Sequence, residues 1–68
     1  MNISERIKEL REEKGLTKDS LAEKIGISSR MVYYWETGKY EPKAYLIIKL
    51  AKAFDVSTDY LLGVTQEY

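Results

Sequence analysis

The chain is broken at short intervals, and the breaks limit it to helices of about three turns. Gly15, Gly26, Gly38 and Gly63 each follow a run of apolar residues at helical spacing, where a left-handed residue closes a helix, and Asp55 takes such a position in place of glycine. Most segments between the breaks open on a capping residue. Asn2 and Glu5 have capping-box spacing, and Thr17, Ser28 and Ser57 begin later segments. Five helices are predicted. The first follows Asn2 and runs to Lys14, with Ile3, Ile7 and Leu10 on one face. The second follows Thr17, with Asp19 favourably in its first turn and Leu21, Ala22 and Ile25 inside. The third follows Ser28 and runs to about Thr37. A loop from Lys39 to Lys43, punctuated by Pro42, leads to the fourth, whose inner face is predicted as Ala44, Ile47, Leu50, Ala51 and Phe54. The fifth is short, from Ser57 through Leu62.

Every one of these helices is too short to be stable alone in water, so their apolar faces must pack on one another. The expected fold class is all-α: a compact five-helix domain covering residues 1–68, with 64–68 as a tail. Trp35, Phe54, Leu21, Ile25, Leu50 and Leu61 are expected near its centre. No strand-like alternation, internal repeat or linker interrupts the pattern.

The composition removes whole classes of chemistry. There is no cysteine and no histidine, which excludes disulfides and removes the commonest general base and the commonest zinc ligand. With no Asp/Glu pair in an evident cleft, no catalytic residue, metal or cofactor is expected, and the chain reads as a non-enzyme. No apolar run approaches the length of a membrane span and no signal peptide opens the chain, so the expected location is the cytoplasm, with no membrane partner. Eleven Lys and Arg balance eleven Asp and Glu, a neutrality that argues mildly against a nucleic-acid binder. Only the distribution of charge offsets it. Glu5, Glu9, Glu12 and Glu13 concentrate acid on the first helix, and between Lys18 and Lys43 five basic residues stand against four acidic ones.

The third helix has two unlike faces. At about 100° per residue, Val32, Trp35 and Glu36 share the sector that must face the core. Ser29, Arg30, Tyr33, Tyr34 and Thr37 fall on the opposite side, and Met31 lies at the border. Glu36 is then a carboxylate directed inward, which is costly unless paired. Arg11, beside Leu10 on the inner edge of the first helix, is the expected partner, so an Arg11–Glu36 ion pair should tie the two helices together. The outer face reads either as a solvated surface that happens to hold tyrosines or as a surface for contacting DNA. The helix before it, the Gly26 turn and the capped start favour the second.

Leu21-Ala22, Gly26-Ile27-Ser28, Val32, Trp35-Glu36, Gly38 and Pro42, followed by Leu50-Ala51-Lys52-Ala53-Phe54 and Val56-Ser57, closely resemble the Cro/C1-type (XRE) helix-turn-helix domain of phage and bacterial repressors. The resemblance spans residues 3–63 and implies a lambda-repressor-like fold with the helix-turn-helix at the second and third helices. It also implies double-stranded DNA as partner, with base contacts from Ser29, Arg30, Tyr33 and Tyr34. Arg30 is suited to the O6 and N7 acceptors of guanine, and Tyr34 to a base, a phosphate or a thymine methyl. Met31 either touches a thymine methyl or belongs to the core.

Phosphate contacts are implied at Thr17, Lys18, Ser28, Thr37, Lys39 and Lys43. Thr17 has the alternative role of helix cap, and Tyr40 lies in the same loop as Lys39. Lys18 departs from the glutamine common at its position in the family, exchanging a bridging amide for a plain cation. The resemblance further implies a symmetric homodimer on a near-palindromic operator, with half-sites about 34 Å apart, and the small size of the candidate patch makes a weak dimer the expectation. Tyr60, Leu62, Val64 and Tyr68 are the candidate dimer patch, and Tyr45, Leu46 and Ile48 are more apolar than the core pattern needs. The function expected is that of a sequence-specific transcriptional regulator, a repressor acting by occlusion. The alternative is a protein-interaction module, such as an antitoxin-like domain that binds a partner protein.

Overall fold

The computed structural model describes residues 2–68. Five helices follow in order, α1 (Ile3–Glu13), α2 (Lys18–Ile25), α3 (Ser29–Thr37), α4 (Ala44–Phe54) and α5 (Thr58–Leu61), with no strand among the described residues. Local chemistry sets their ends. Asn2 accepts from the Glu5 N–H while the Glu5 carboxylate accepts from the Asn2 N–H, a reciprocal capping box. Thr17 and Ser20 form a second one at the start of α2. Ser28 and Ser57 accept from Met31 and Tyr60, three residues on. α4 starts without a side-chain cap and ends on Asp55 in the left-handed region, φ 58° and ψ 47°, the one non-glycine residue with positive φ among the described residues.

α2 lies against α3 and α4, α1 against α3 and α5, and α4 against α5. Their shared core includes Ile7, Leu10, Val32, Trp35, Phe54 and Leu61, all almost fully buried. Leu21, Ile25 and Leu50 are buried with them as expected.

Three boundaries or faces differ from the sequence reading. α1 ends at Glu13, with Lys14 already outside helical geometry, and α5 ends at Leu61. The inner face of α4 is rotated: Leu46, Leu50, Ala51 and Phe54 are buried, Ile47 is half-buried and Ala44 is exposed. The row 46–50–54 carries Leu, Leu and Phe at i+4 spacing, so turning it inward buries more apolar surface than turning Ala44 inward would. Leu46 thus belongs to the core, while Tyr45 and Ile48 remain on the surface. No helix among the described residues is long and apolar enough to cross a membrane.

Candidate nucleic-acid interface

Two anchors orient α3. Val32 and Trp35 are buried against the other helices, which leaves the opposite side of α3 to solvent. On that side Arg30, Tyr33 and Thr37 are exposed, while Ser29 and Tyr34 are half-buried. Met31, at the border, is half-buried and packs against the core. The turn that delivers α3 is short. Gly26 adopts φ 86°, and the Gly26 and Ile27 N–H groups both return to the Ala22 carbonyl, so Ser28 caps the next helix almost at once.

The ionic anchor of α3 lies on its inner side. Arg11 Nε donates to Glu36 Oε2 at 2.6 Å and Nη2 to Oε1 at 3.1 Å, a two-pronged pair. Arg11 Nη1 also donates to the Leu16 carbonyl at 2.9 Å. One guanidinium therefore joins α1, the turn before α2, and α3. The hydrogen bond to Glu36 raises the Arg11 pKa further above its usual value, against an opposing effect of burial, so the pair keeps its cation at any working pH.

The C-terminal end of α3 folds back on its own outer face. Gly38 takes φ 83°, and the N–H groups of Lys39 and Tyr40 both reach the Tyr34 carbonyl, which also accepts from the Thr37 hydroxyl. This path lays the Lys39 ammonium 4.7 Å from the centre of the Tyr34 ring and 5.6 Å from that of Tyr40. The Tyr34 and Tyr40 rings meet edge to face, 5.3 Å apart at 85°, and the Tyr33 ring centre lies 6.0 Å from that of Tyr34. Tyr40 also borders a largely apolar groove of about 530 Å³, whose lining includes Ile27, Met31, Trp35 and Leu46.

The hydroxyls are not equivalent as phosphate donors. Thr17 Oγ1 accepts from the Ser20 N–H and gives its own proton to Ser20 Oγ, so both roles are filled inside the α2 cap. Thr37 gives its proton to the Tyr34 carbonyl. Ser28 only accepts, from the Met31 N–H, and keeps a proton for an outside acceptor. Lys18 is the first residue of α2 and half-buried, and Lys43 is exposed at the start of α4.

The candidate dimer patch divides. Leu62 and Val64 are exposed, and Leu62 borders a shallow depression with Ile3, Pro42 and Ile47. Tyr60 does not belong to an outer surface: it is 6% exposed. The Arg6 guanidinium carbon sits 3.7 Å from the centre of its ring, and the Tyr68 ring lies 4.5 Å away. Tyr68 is solvent-exposed but folded back, its hydroxyl donating to Glu13 Oε1 at 3.2 Å.

The burial of Arg6 escapes the sequence reading, which takes Tyr40 only as a residue of the loop beside Lys39. Arg6 is 2% exposed, and the signal for it was its place one turn before Leu10, on the inner side of α1. The ring of Tyr40 reaches α3 only because of the backbone path after Gly38. Among the described residues, no three His, Cys, Asp or Glu side chains gather as a metal site.

A family model described as helix-turn-helix, HTH_3, matches residues 7–61. The chain is similar to the HTH-type transcriptional regulator ImmR of Bacillus subtilis (strain 168), with 36% identity over 63 residues, 93% of this chain and 50% of ImmR. It spans about half the length of the first curated relatives it matches. Among solved structures it is similar to the P22 c2 repressor in complex with a synthetic operator, with a TM-score of 0.86 and 31% identity over 91% of this chain and 94% of that one. It is likewise similar to SinR, the master regulator for biofilm formation, in complex with DNA: TM-score 0.81, 33% identity, 87% of this chain and 95% of that one.

Proposed function

This chain belongs to the HTH_3 helix-turn-helix family of Cro/C1 (XRE) type, and from that premise we propose that it is the DNA-reading unit of a transcriptional regulator. It acts as a repressor: a homodimer places α3 of each copy in the major groove of a near-palindromic operator and excludes polymerase by occupying the site. The observation that carries this reading is the outward face of α3. There Arg30 and Tyr33 are exposed and Ser29 and Tyr34 half-exposed on a helix pinned from behind by Val32, Trp35 and Glu36.

Each group has a distinct task. Arg30 offers two parallel donors to guanine O6 and N7, and Tyr34 and Ser29 supply single hydroxyl contacts to neighbouring edges. Tyr33 lies beside them for a base or sugar. Lys18 at the α2 N-terminus, Ser28 and Lys43 hold phosphates and set the register of α3 in the groove. Thr17 serves the same contact indirectly, by fixing the first turn of α2. Leu62 and Val64 supply the apolar part of a small dimer contact, which DNA tightens by holding two copies on half-sites about 34 Å apart.

Binding-site selection from a random duplex library tests the reading. Enrichment of a near-palindromic sequence is expected. Arg30→Ala should then cost about 1–3 kcal/mol on the enriched duplex and relax selectivity at one base pair per half-site. A library that emerges unenriched, from a chain that is folded by circular dichroism, refutes it.

A further inference from the structure

We propose that Tyr40, which lies outside the recognition helix, is a positioning residue for base selection, acting by holding the Tyr34 ring in one orientation on the outer face of α3. This rests on the DNA-reading assignment above and extends it to a residue in the following loop. Tyr34 is half-exposed, and its aromatic neighbour on α3 is Tyr33, with ring centres 6.0 Å apart. An unsupported tyrosine there would sample several rotamers, and a hydroxyl that must meet a base edge loses selectivity when its position spreads.

Three features remove that freedom. The Tyr40 ring meets Tyr34 edge to face at 5.3 Å and 85°, within the range where aromatic pairs attract. The Lys39 ammonium lies over both rings, which favours their joint placement. The Tyr34 carbonyl takes the N–H groups of Lys39 and Tyr40 as well as the Thr37 hydroxyl, so the loop carrying the clamp is tied to the residue it clamps. Gly38 at φ 83° makes the path possible.

The test compares Tyr40→Leu with Tyr40→Phe. Leucine keeps an apolar cover on the groove above Trp35 and removes the ring; phenylalanine keeps the ring and removes the hydroxyl. The probes are the duplex enriched by selection with the unaltered chain and a scrambled duplex of the same length. Tyr40→Leu should lower the ratio of the two affinities about two- to tenfold, the range corresponding to one aromatic pair, with scrambled-duplex affinity unchanged and the helical circular dichroism spectrum retained at the assay temperature. Tyr40→Phe should restore the ratio. In the free protein, Tyr40→Leu should shift the Tyr34 ring resonances and the Lys39 side-chain methylene resonances, because both lose a neighbouring ring current.

An unchanged ratio in Tyr40→Leu, alongside a reduced ratio in Tyr34→Ala, overturns the positioning role and leaves the base-reading role of Tyr34 standing. Equal losses on both duplexes make Tyr40 a plain backbone contact and also overturn it. So does a Tyr40→Phe variant as poor as Tyr40→Leu, since the hydroxyl would then touch DNA directly. If Tyr34→Ala itself leaves the ratio unchanged, the assignment of Tyr34 to base reading falls first.

Discussion

Cutting the Arg11–Glu36 pair from one side should be among the most damaging single changes this fold can suffer, and the two sides should not be equally damaging. The pair comprises two charge-assisted hydrogen bonds, 2.6 and 3.1 Å, between side chains that are 9% and 4% exposed. Removing one partner of a buried pair costs about 3–5 kcal/mol, most of it the stranded charge left behind. A domain of 68 residues has a total margin of about 3–10 kcal/mol, so the loss takes a third of it or more.

The asymmetry comes from reach. In Glu36→Ala the guanidinium keeps its bond to the Leu16 carbonyl, and its long stem can carry the charge toward water, which sets the cost near 3 kcal/mol, roughly the lower end of the range. In Arg11→Ala the short Glu36 side chain has no such escape, and the Leu16 carbonyl is orphaned as well, adding about 1 kcal/mol. The double change Arg11→Met/Glu36→Leu, which removes both charges and refills the space, should be less destabilising than either single change. Urea unfolding, followed by far-ultraviolet circular dichroism and by the single tryptophan, Trp35, measures all three. A Glu36→Ala variant within about 1 kcal/mol of the parent would refute the argument, since the pair would then behave as a surface ion pair. So would a double variant worse than both singles.

Three further outcomes are expected. Lys18→Ala should weaken binding to the enriched and the scrambled duplex alike and flatten the slope of log affinity against log salt by about 0.9 for each phosphate left without its cation, measured by titration at several salt concentrations. Asp55→Asn should raise stability by about 0.5 kcal/mol, read from urea midpoints, because it keeps a residue tolerant of φ 58° and removes a negative charge from the C-terminal end of α4. The Tyr68 phenol is pushed up to about 12, first by the Tyr60 hydroxyl and then by the Glu13 carboxylate. Its stabilising contribution is therefore whole below the ordinary tyrosine value of about 10 and lost as pH climbs toward 12. In an ultraviolet titration Tyr68→Phe should remove a phenol that ionises near 12, and loss of one that ionises near the ordinary value of about 10 would mean that Tyr68 does not pack on Tyr60.

What could be foreseen from the sequence follows the range of the interactions involved. Caps and left-handed stops act over three or four residues, so the ends of α2 and α3 and the turn at Asp55 are written locally. The face of α3 is also legible, because Val32 and Trp35 leave little choice of orientation. Glu36 beside them then demands a cation, and Arg11 is placed to supply one. The rotation of α4 is harder, since Ala44 and Leu46 are both acceptable to a helical period and only side-chain volume decides between them. α5 has four residues, too few to show a period, so Tyr60 cannot be assigned inward from spacing alone. The aromatic clamp on Tyr34 depends on where the backbone goes after Gly38, and no periodicity in the loop records that path.

The neutral net charge bears on how such an interface divides affinity from selectivity. On the fold, the exposed carboxylates Glu5, Glu9, Glu12 and Glu13 stand on α1, which packs against the inner side of α3. The outer side and its loop carry Arg30, Lys39 and Lys43. Lys39 lies over two rings, an attraction of about 0.5–1 kcal/mol that a phosphate must offset to draw it away. In the proposed reading few phosphates are neutralised, and the sequence-blind, salt-sensitive share of binding is correspondingly small. Arg30 and Tyr34 then supply a larger share of the total affinity than they would in a strongly basic domain, where backbone contacts dominate binding. A residue such as Tyr40, acting only through the orientation of another ring, changes the ratio of specific to scrambled affinity, from which the sequence-blind share cancels.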